Sequence, residues 1–215
     1  TLDLRVERFA YHQPFRISGH VFTETALLVA TLSDGEHRGR GEGAGVYYLG
    51  DDIAHMVAEA EQVRGAIEHG ATRKELQSLL PPGGARNALD CALWDLEAKQ
   101  QGRPVWELAG LETPRPLRST LTLGADSADN MAKAALAIDP EAPVKVKLTG
   151  DLEEDAARVA AIRAARPDAW IGVDANQGYD IATLARLLPV LIEAKIAQLE
   201  QPLKRGREAD LDGVA

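Results

Sequence analysis

Short aliphatic runs alternate with longer amphipathic stretches through the last 100 residues of the chain. The runs typical of buried strands cover residues 117–124, 144–150, 170–178 and 196–202. The stretches with helical spacing of apolar positions cover residues 127–138, 151–165 and 181–193. Strands that alternate with helices in this way indicate right-handed βαβ units and a parallel sheet.

The first 115 residues or so have a different pattern, typical of an α+β domain. Strands are predicted over 2–10 and 25–32, and the glycine-rich stretch 35–45 predicts a returning strand that loosens into a loop. Three helices follow. They are predicted from Asp51 or Asp52 towards Gly70, over 73–80 behind a Thr72–Glu75 capping box, and over 85–101, where Gly102 ends the helix.

Polar residues stand at the ends of the predicted strands of the second half at nearly regular spacing. Lys147, Asp174 and Glu200 are separated by 27 and 26 residues, and Thr122 lies 25 residues before Lys147. Polar side chains at the C-terminal end of every strand favour a (β/α)₈ barrel over a doubly wound sheet, because barrel enzymes build their active sites at that end. The predicted fold class is therefore α/β, with an α+β domain over 1–115 and about the first four βα units of a (β/α)₈-type barrel over 116–215.

Two lysines share one face of the strand around residue 146. Residues two apart in a strand point the same way, so Lys145 and Lys147 lie opposite Val144, Val146 and Leu148. If the aliphatic face packs against helices, the lysines point into the barrel, where a lysine that loses its proton readily is suited to be a general base. The same alternation also fits an edge strand with two solvated lysines.

Asp174 and Glu200 each follow an apolar strand and precede turn-forming residues. Two carboxylates on neighbouring strand ends can supply oxygen ligands to a hard cation such as Mg²⁺. The alternatives are a helix cap for Asp174, or a lysine–carboxylate ion pair for either residue.

Three short motifs together resemble those of the enolase superfamily, in its muconate-lactonizing-enzyme subgroup. They are "KVK" at 145–147, "DAN" at 174–176 and "EQP" at 200–202. The stretches "ARNALDCALWDLEAK" and "GRPVWELAG" are similar to those of the dipeptide epimerases in that subgroup, of the L-Ala-D/L-Glu epimerase type. The resemblance runs in order through essentially the whole chain.

This resemblance implies an isomerase that abstracts the α-proton of a dipeptide and passes through an enediolate, with Mg²⁺ as cofactor. It implies that residues 1–115 are the capping domain of such an enzyme. Lys147 is then the base and Lys145 its partner, while Asp174 and Glu200 bind the metal. Muconate cycloisomerase and o-succinylbenzoate synthase are alternatives within the superfamily, since they use the same lysines and metal.

Part of the family's machinery belongs to later strands that this sequence does not contain. These strands carry the third metal ligand, the lysine on the opposite face and the acidic motif for the dipeptide ammonium. We therefore expect the chain to be a fragment of a longer protein. The alternative is an inactive remnant that pairs its open sheet edge with a partner chain.

Three further residues are candidates for substrate binding, namely Arg16, Thr120 and Asn176. The family's specificity loop is expected over 16–25, but Gly19 to Phe22 stand where an arginine for a glutamate side chain is expected. Arg16 is a substitute for it, and a less acidic dipeptide is an equal alternative.

Composition narrows the choice of partners. The chain has 33 acidic and 24 basic residues and a formal net charge of -9, with no basic stripe for nucleic acid or an anionic membrane. No apolar run approaches a membrane span, and the charged opening lacks the core of a signal peptide, so a cytoplasmic protein is expected. A homo-oligomer is compatible with all of this.

Several local features have structural interpretations. The single cysteine, Cys91, excludes an intrachain disulfide and is expected to be buried in its helix. The five histidines show no metal-ligand spacing, which argues against a histidine metal site. Residues 39–45 match a dinucleotide loop only loosely, and their glycines are expected to let a loop approach the barrel mouth.

Overall fold

The computed structural model describes residues 1–214, which form two compact units. The first unit comprises residues 1–10 and 24–115, and the second comprises residues 11–23 and, within the described part of the chain, 116–214. The domain limits 1–115 and 116–215 remain a prediction, and the compact units differ from them in placing residues 11–23 with the second half. Over residues 1–214, no helix combines the length and the apolar character needed to cross a membrane.

A three-stranded sheet opens the chain in the order β1-β2-β3. Its strands are β1 (Leu2–Ile17), β2 (His20–Ser33) and β3 (Arg38–Gly43), with β2 and β3 antiparallel. Residues 16–25, predicted as a loop, are instead strand on both sides of a tight turn at Ser18 and Gly19. Gly19 has a φ of 68°, a conformation that glycine adopts without steric cost.

Five helices follow in the first unit: α1 (Ile53–Gln62), α2 (Arg64–Glu68), α3 (Arg73–Leu79), α4 (Gly84–Gln101) and α5 (Val105–Leu108). The predicted helix towards Gly70 is thus broken at Val63. The Thr72–Glu75 capping box is present, and Gly102 ends α4 in the left-handed conformation, as predicted.

The glycine-rich stretch contains the predicted returning strand, β3, which packs against α4. This confirms the strand and corrects the interpretation of its glycines as a loop that approaches the barrel mouth. A Cβ atom at Gly39, Gly41 or Gly43 would lie 2.1–2.2 Å from a backbone oxygen of α4. Alternate glycines therefore let a helix backbone lie directly on the sheet. Cys91 lies on this helix and is exposed, because the buried positions of α4 are taken by Ala88, Leu89 and Ala92.

The second unit is a parallel sheet in the order β4-β5-β6-β7, with helices between successive strands. The strands are β4 (Leu121–Leu123), β5 (Val144–Lys147), β6 (Ile171–Asp174) and β7 (Gln198–Glu200). The helices are α6 (Ala128–Ala137), α7 (Leu152–Ala165) and α8 (Ile181–Glu193). This confirms the βαβ prediction, while closure into a barrel stays a prediction.

The core of the second unit lies between this sheet and its helices. Its members include Val144, Val146 and Leu148, which are fully buried, whereas Lys145 and Lys147 are half-buried on the other face. The aliphatic side chains of β5 therefore lie on the core face and the lysines on the opposite face, as predicted. Strand β4 is shorter than predicted, and Thr120 lies outside it.

Candidate active site at the ends of the parallel strands

Strands β5, β6 and β7 end in Lys147, Asp174 and Glu200 respectively. Lys147 is the register partner of Asp174, and Asp174 is the register partner of Glu200. Parallel pairing therefore brings three residues that are far apart in the chain to one edge of the sheet, as the spacing predicted.

The lysines and carboxylates form one connected network. Lys147 Nζ lies 2.6 Å from Asp174 Oδ2, and Lys145 Nζ lies 3.1 Å from the same oxygen. Lys145 Nζ also lies 2.7 Å from Glu200 Oε2. The Asp174 side chain is 2% exposed and that of Glu200 is 36% exposed, so the network runs from the interior to the surface.

The environment of each charge sets its pKa. Burial alone would raise the pKa of Asp174, but hydrogen bonds from Lys147, the Asn176 amide and Lys145 outweigh it, and the pKa is lowered. Burial alone would lower the pKa of Lys145, but the hydrogen bonds to Glu200 and Asp174 raise it. The carboxylate and the ammonium each hold the other in its charged form. These contacts exclude the alternative in which β5 is an edge strand with two solvated lysines. The alternative lysine–carboxylate ion pairs are present for both Asp174 and Glu200.

The backbone after two of these strands is strained. Asn176, Gln177 and Gln201 have φ values of 45°, 67° and 42°, in the left-handed region that non-glycine residues rarely adopt. Such strain concentrates at functional sites. No sequence pattern pointed to the two glutamines, because glutamine is not a residue that marks this conformation.

Asn176 carries an acceptor with no partner. Its backbone amide donates to Asp174 Oδ1 at 2.9 Å, while its side-chain Oδ1 is buried without a hydrogen bond among the described residues. A buried oxygen of this kind costs free energy unless a ligand donates to it or is coordinated by it.

The tip of the β1–β2 hairpin contributes an aromatic residue that the sequence did not suggest. The Phe15 ring centroid lies 6.0 Å from Lys147 Nζ, within reach of a weak cation–π interaction. Phe15, Arg16, Thr122, Asp126 and other residues line a cleft of about 670 Å³ in the second unit. Arg16 is exposed there, and Thr120 is not one of the described residues that line it.

The strand-end residues fit a hard cation. The Lys145 ammonium contacts Asp174 Oδ2 and Glu200 Oε2 at once, so two carboxylates already reach a common positive centre. Carboxylate oxygens are the donor type that Mg²⁺ prefers, and the unpaired amide oxygen of Asn176, two residues after Asp174 in the chain, is of a similar type.

A second group of possible metal ligands lies in the first unit. One ligand atom from each of Asp51, His55 and Glu59 falls within 4.8 Å of the others. His55 is bonded to Asp51 through Nδ1 at 3.1 Å and lies 3.7 Å from Glu59 through Nε2. His55 and Glu59 lie one turn apart on α1 and Asp51 lies just before its N-cap, so the signal in the sequence is the i, i+4, i+8 spacing of two carboxylates around one histidine.

Two family models match the chain. One is described as the N-terminal domain of mandelate racemase / muconate lactonizing enzyme and matches residues 4–110. The other, described as enolase C-terminal domain-like, matches residues 128–215. The second match includes all four residues of the network, Lys145, Lys147, Asp174 and Glu200.

Three known proteins illustrate the similarity. The L-Ala-D/L-Glu epimerase of Escherichia coli (strain K12) is 36% identical over 214 residues, which cover 99% of this chain and 66% of that protein. A solved enolase family member from Agrobacterium tumefaciens, with homology to dipeptide epimerases and with bound sodium and L-Ala-L-Glu, superposes with a TM-score of 0.92. It is 36% identical, and the match covers 100% of this chain and 65% of that one.

The third is a dipeptide epimerase from Enterococcus faecalis V583, solved with Mg and the dipeptide L-Leu-L-Tyr. It is 25% identical with a TM-score of 0.85, and the match covers 99% of this chain and 62% of that one. The chain thus spans just under two thirds of the length of each of these proteins.

Proposed function

We propose that this chain, which belongs to the enolase superfamily, forms most of the active site of a Mg²⁺-dependent dipeptide epimerase. The observation that carries the proposal is the network in which Lys147, Asp174, Lys145 and Glu200 are joined through contacts of 2.6–3.1 Å. The names of the similar proteins support it, since those described above are epimerases or resemble epimerases.

Lys147 is the proposed base. Its side chain is 12% exposed, and it stands at the strand end, where a substrate carbon can approach. Lys145 lies two residues earlier on the same face and contacts the same oxygen of Asp174 as Lys147 does. In the present arrangement Asp174 neutralises both lysines, so the base becomes available when that carboxylate has another cation to balance it.

Asp174 and Glu200 are the proposed metal ligands. Both are oxygen donors, and the hydrogen bonds to Asp174 lower its pKa despite its burial, which keeps the carboxylate ionised and ready to bind. When bound, Mg²⁺ supplies positive charge that stabilises the anion formed by loss of an α-proton next to a carboxylate. Asn176 orients Asp174 through its backbone amide and offers its side-chain oxygen to the bound ligands.

The hairpin tip is the proposed boundary of the substrate site. Phe15 lies over the Lys147 ammonium, and Arg16 lies in the adjoining cleft with a positive charge to offer an acidic side chain. Of the similar structures, one carries a dipeptide with an acidic residue, L-Ala-L-Glu, and another carries a dipeptide without one, L-Leu-L-Tyr. We propose a dipeptide with a small or acidic residue. Thr120 is retained as a substrate-binding candidate only through its nearness to β4.

The third metal ligand and the group that returns a proton on the opposite face of the α-carbon are proposed to lie outside residues 1–215. The similar proteins are longer than this chain, and an epimerase needs a group on each face of the α-carbon. We further propose a cytoplasmic enzyme that acts on a free dipeptide without nucleic acid or membrane, in a homo-oligomer or alone.

The test is α-proton exchange in D₂O, with the protein purified from its native source after its intact mass is measured. L-Ala-L-Glu and L-Leu-L-Tyr are compared, each with Mg²⁺ and with excess chelator. Mg²⁺-dependent deuterium incorporation at the α-carbon with epimerisation supports the proposal. Absence of incorporation with every dipeptide of a broad panel would overturn it.

A further inference from the structure

A buried carboxylate in the second unit accepts hydrogen bonds from three separate segments. Asp155, in the first turn of α7, is fully buried. It accepts from the Thr149 amide at 3.0 Å, the Gly150 amide at 2.9 Å and the Tyr179 hydroxyl at 2.5 Å. It also accepts from the Thr149 hydroxyl at 3.2 Å and from Arg158 at 2.7 Å.

These partners belong to the loops that follow two of the site strands. Thr149 and Gly150 lie two and three residues beyond Lys147, the last residue of β5, and Tyr179 lies in the loop after β6, whose last residue is Asp174. One side chain therefore fastens together the two loops that continue from the proposed base and the proposed metal ligand.

The connection extends to the other two strands. Arg158, which is bonded to Asp155, donates through Nε to the Asp126 carbonyl in the loop after β4 at 2.6 Å. The Tyr179 amide donates to the Pro202 carbonyl, two residues beyond the end of β7, at 3.0 Å. Through two intermediaries, Asp155 thus reaches the loop after every strand of this sheet.

The Asp155 carboxylate has no free acceptor site. An ionised carboxylate has about four lone-pair sites, and five donor groups occupy them here. Tyr179 remains a donor, because burial and the adjacent Asp155 carboxylate both raise the pKa of its hydroxyl. Loss of the carboxylate would leave several buried donors without a partner at once, and this is costly.

The backbones of the two loops also lie in direct contact. A Cβ atom at Gly150 would lie 2.6 Å from the Gly178 carbonyl oxygen. Within so close a fit, a small shift of either loop alters the distance between the residues at the strand ends. Misplacement of a reacting group by about 1 Å can cost about 100-fold in rate.

We propose that Asp155 is a positioning residue that sets the spacing of Lys147 and Asp174 without touching substrate or metal. The proposal rests on the proposed function for its catalytic consequence. Its structural half, that one carboxylate locks both loops together, stands on the contacts alone.

The test uses two variants and a matched control in the native-length protein. Tyr179→Phe removes one of the hydrogen bonds and keeps the ring, and Asp155→Asn changes the charge at the centre. Asp151→Asn makes the same chemical change four residues earlier, at the exposed N-cap of α7, where asparagine caps equally well. Amide hydrogen exchange of residues 148–150 and 175–179 is measured with kcat and KM for the dipeptide.

In Tyr179→Phe, we expect exchange to accelerate about fivefold or more in both loops. We expect kcat to fall about tenfold and KM to stay within about twofold. Asp155→Asn is expected to change both quantities further, and Asp151→Asn neither.

Unchanged exchange in either loop of Tyr179→Phe would overturn the proposal, whether or not the protein is an epimerase. Faster exchange with an unaltered kcat would overturn the positioning role. Failure of the wild-type protein to exchange the α-proton of any dipeptide would overturn the proposed function instead. The amide hydrogen exchange of the two loops would still decide whether the carboxylate locks them together.

Discussion

Lys147 Nζ and Asp174 Oδ2 lie 2.6 Å apart, although their residues are separated by a whole helix and its loops. The pair results from the parallel register of β5 and β6, in which the two residues are direct partners. The proposed base and the proposed metal ligand therefore neutralise each other in this structure. If Asp174 binds a metal ion and Lys147 is the base, as proposed, that contact couples metal binding to release of the base.

Asp174→Asn and Glu200→Gln should differ in their effect on stability, although both should weaken Mg²⁺ binding. Asp174 is almost fully buried and balances two ammonium groups, so its neutral variant should lose about 2–3 kcal/mol of unfolding free energy. Glu200 is more exposed, and its variant should lose less than about 1 kcal/mol. Urea denaturation of the metal-free variants measures both values.

Calorimetric titration with Mg²⁺ then measures the other half of this prediction. Both variants should bind Mg²⁺ at least about tenfold more weakly than wild type. Full retention of Mg²⁺ affinity in either variant would remove that residue from the metal site.

His55 should make the stability of the first unit depend on pH. A hydrogen bond to Asp51, opposed by desolvation and aided by the charge of Glu59, raises the pKa of His55 above its ordinary value of 6.5. The stabilisation is therefore complete below about pH 6.5 and is lost as the pH rises through the folded-state pKa. His55→Gln should lower Tm more at pH 5.5 than at pH 9.

His69→Gln is the matched control for that measurement. His69 is bonded to the Gly65 carbonyl and not to a carboxylate, so its variant should show no comparable increase in destabilisation at low pH. An equal Tm decrease for His55→Gln at both pH values would contradict the assignment of an ion pair to His55 and Asp51.

Gly150→Ala should be far more destabilising than Gly206→Ala. Both glycines have nearly the same positive φ, 89° for Gly150 and 86° for Gly206. A Cβ at Gly206 meets nothing within 4 Å, whereas a Cβ at Gly150 meets the Gly178 carbonyl at 2.6 Å. We expect losses of about 1 kcal/mol for Gly206→Ala and about 3 kcal/mol or more for Gly150→Ala in urea denaturation. Equal losses would mean that the two loops do not pack as closely as described.

The sequence predicted the strand-end chemistry because two simple periods determine it. Alternation along β5 separates Lys145 and Lys147 from the aliphatic residues, and the βαβ repeat places one strand end beside the next. Asp174 and Glu200 could therefore be assigned to the same edge from spacing alone.

Contacts that depend on tertiary packing were not predictable in this way. The position of Phe15 near Lys147 depends on how a hairpin tip folds onto another segment, and no local period encodes that. The glycines of β3 suggest a loop near the barrel mouth from the sequence alone, whereas in the structure they admit the backbone of α4. Asp155 resembles any acidic residue in the first turn of a helix, and only its burial reveals its partners.

The most direct measurement is α-proton exchange by Lys147→Arg in the native-length protein with Mg²⁺ and its dipeptide. Arginine keeps a positive charge near Asp174 but does not give up its proton at accessible pH, so it cannot serve as the base. Exchange of the proton on the face that Lys147 serves should fall by about 1,000-fold or more, while exposed Lys74→Arg on α3 retains wild-type rates. Exchange by Lys147→Arg within about tenfold of wild type would show that another group removes the proton, and would contradict the account.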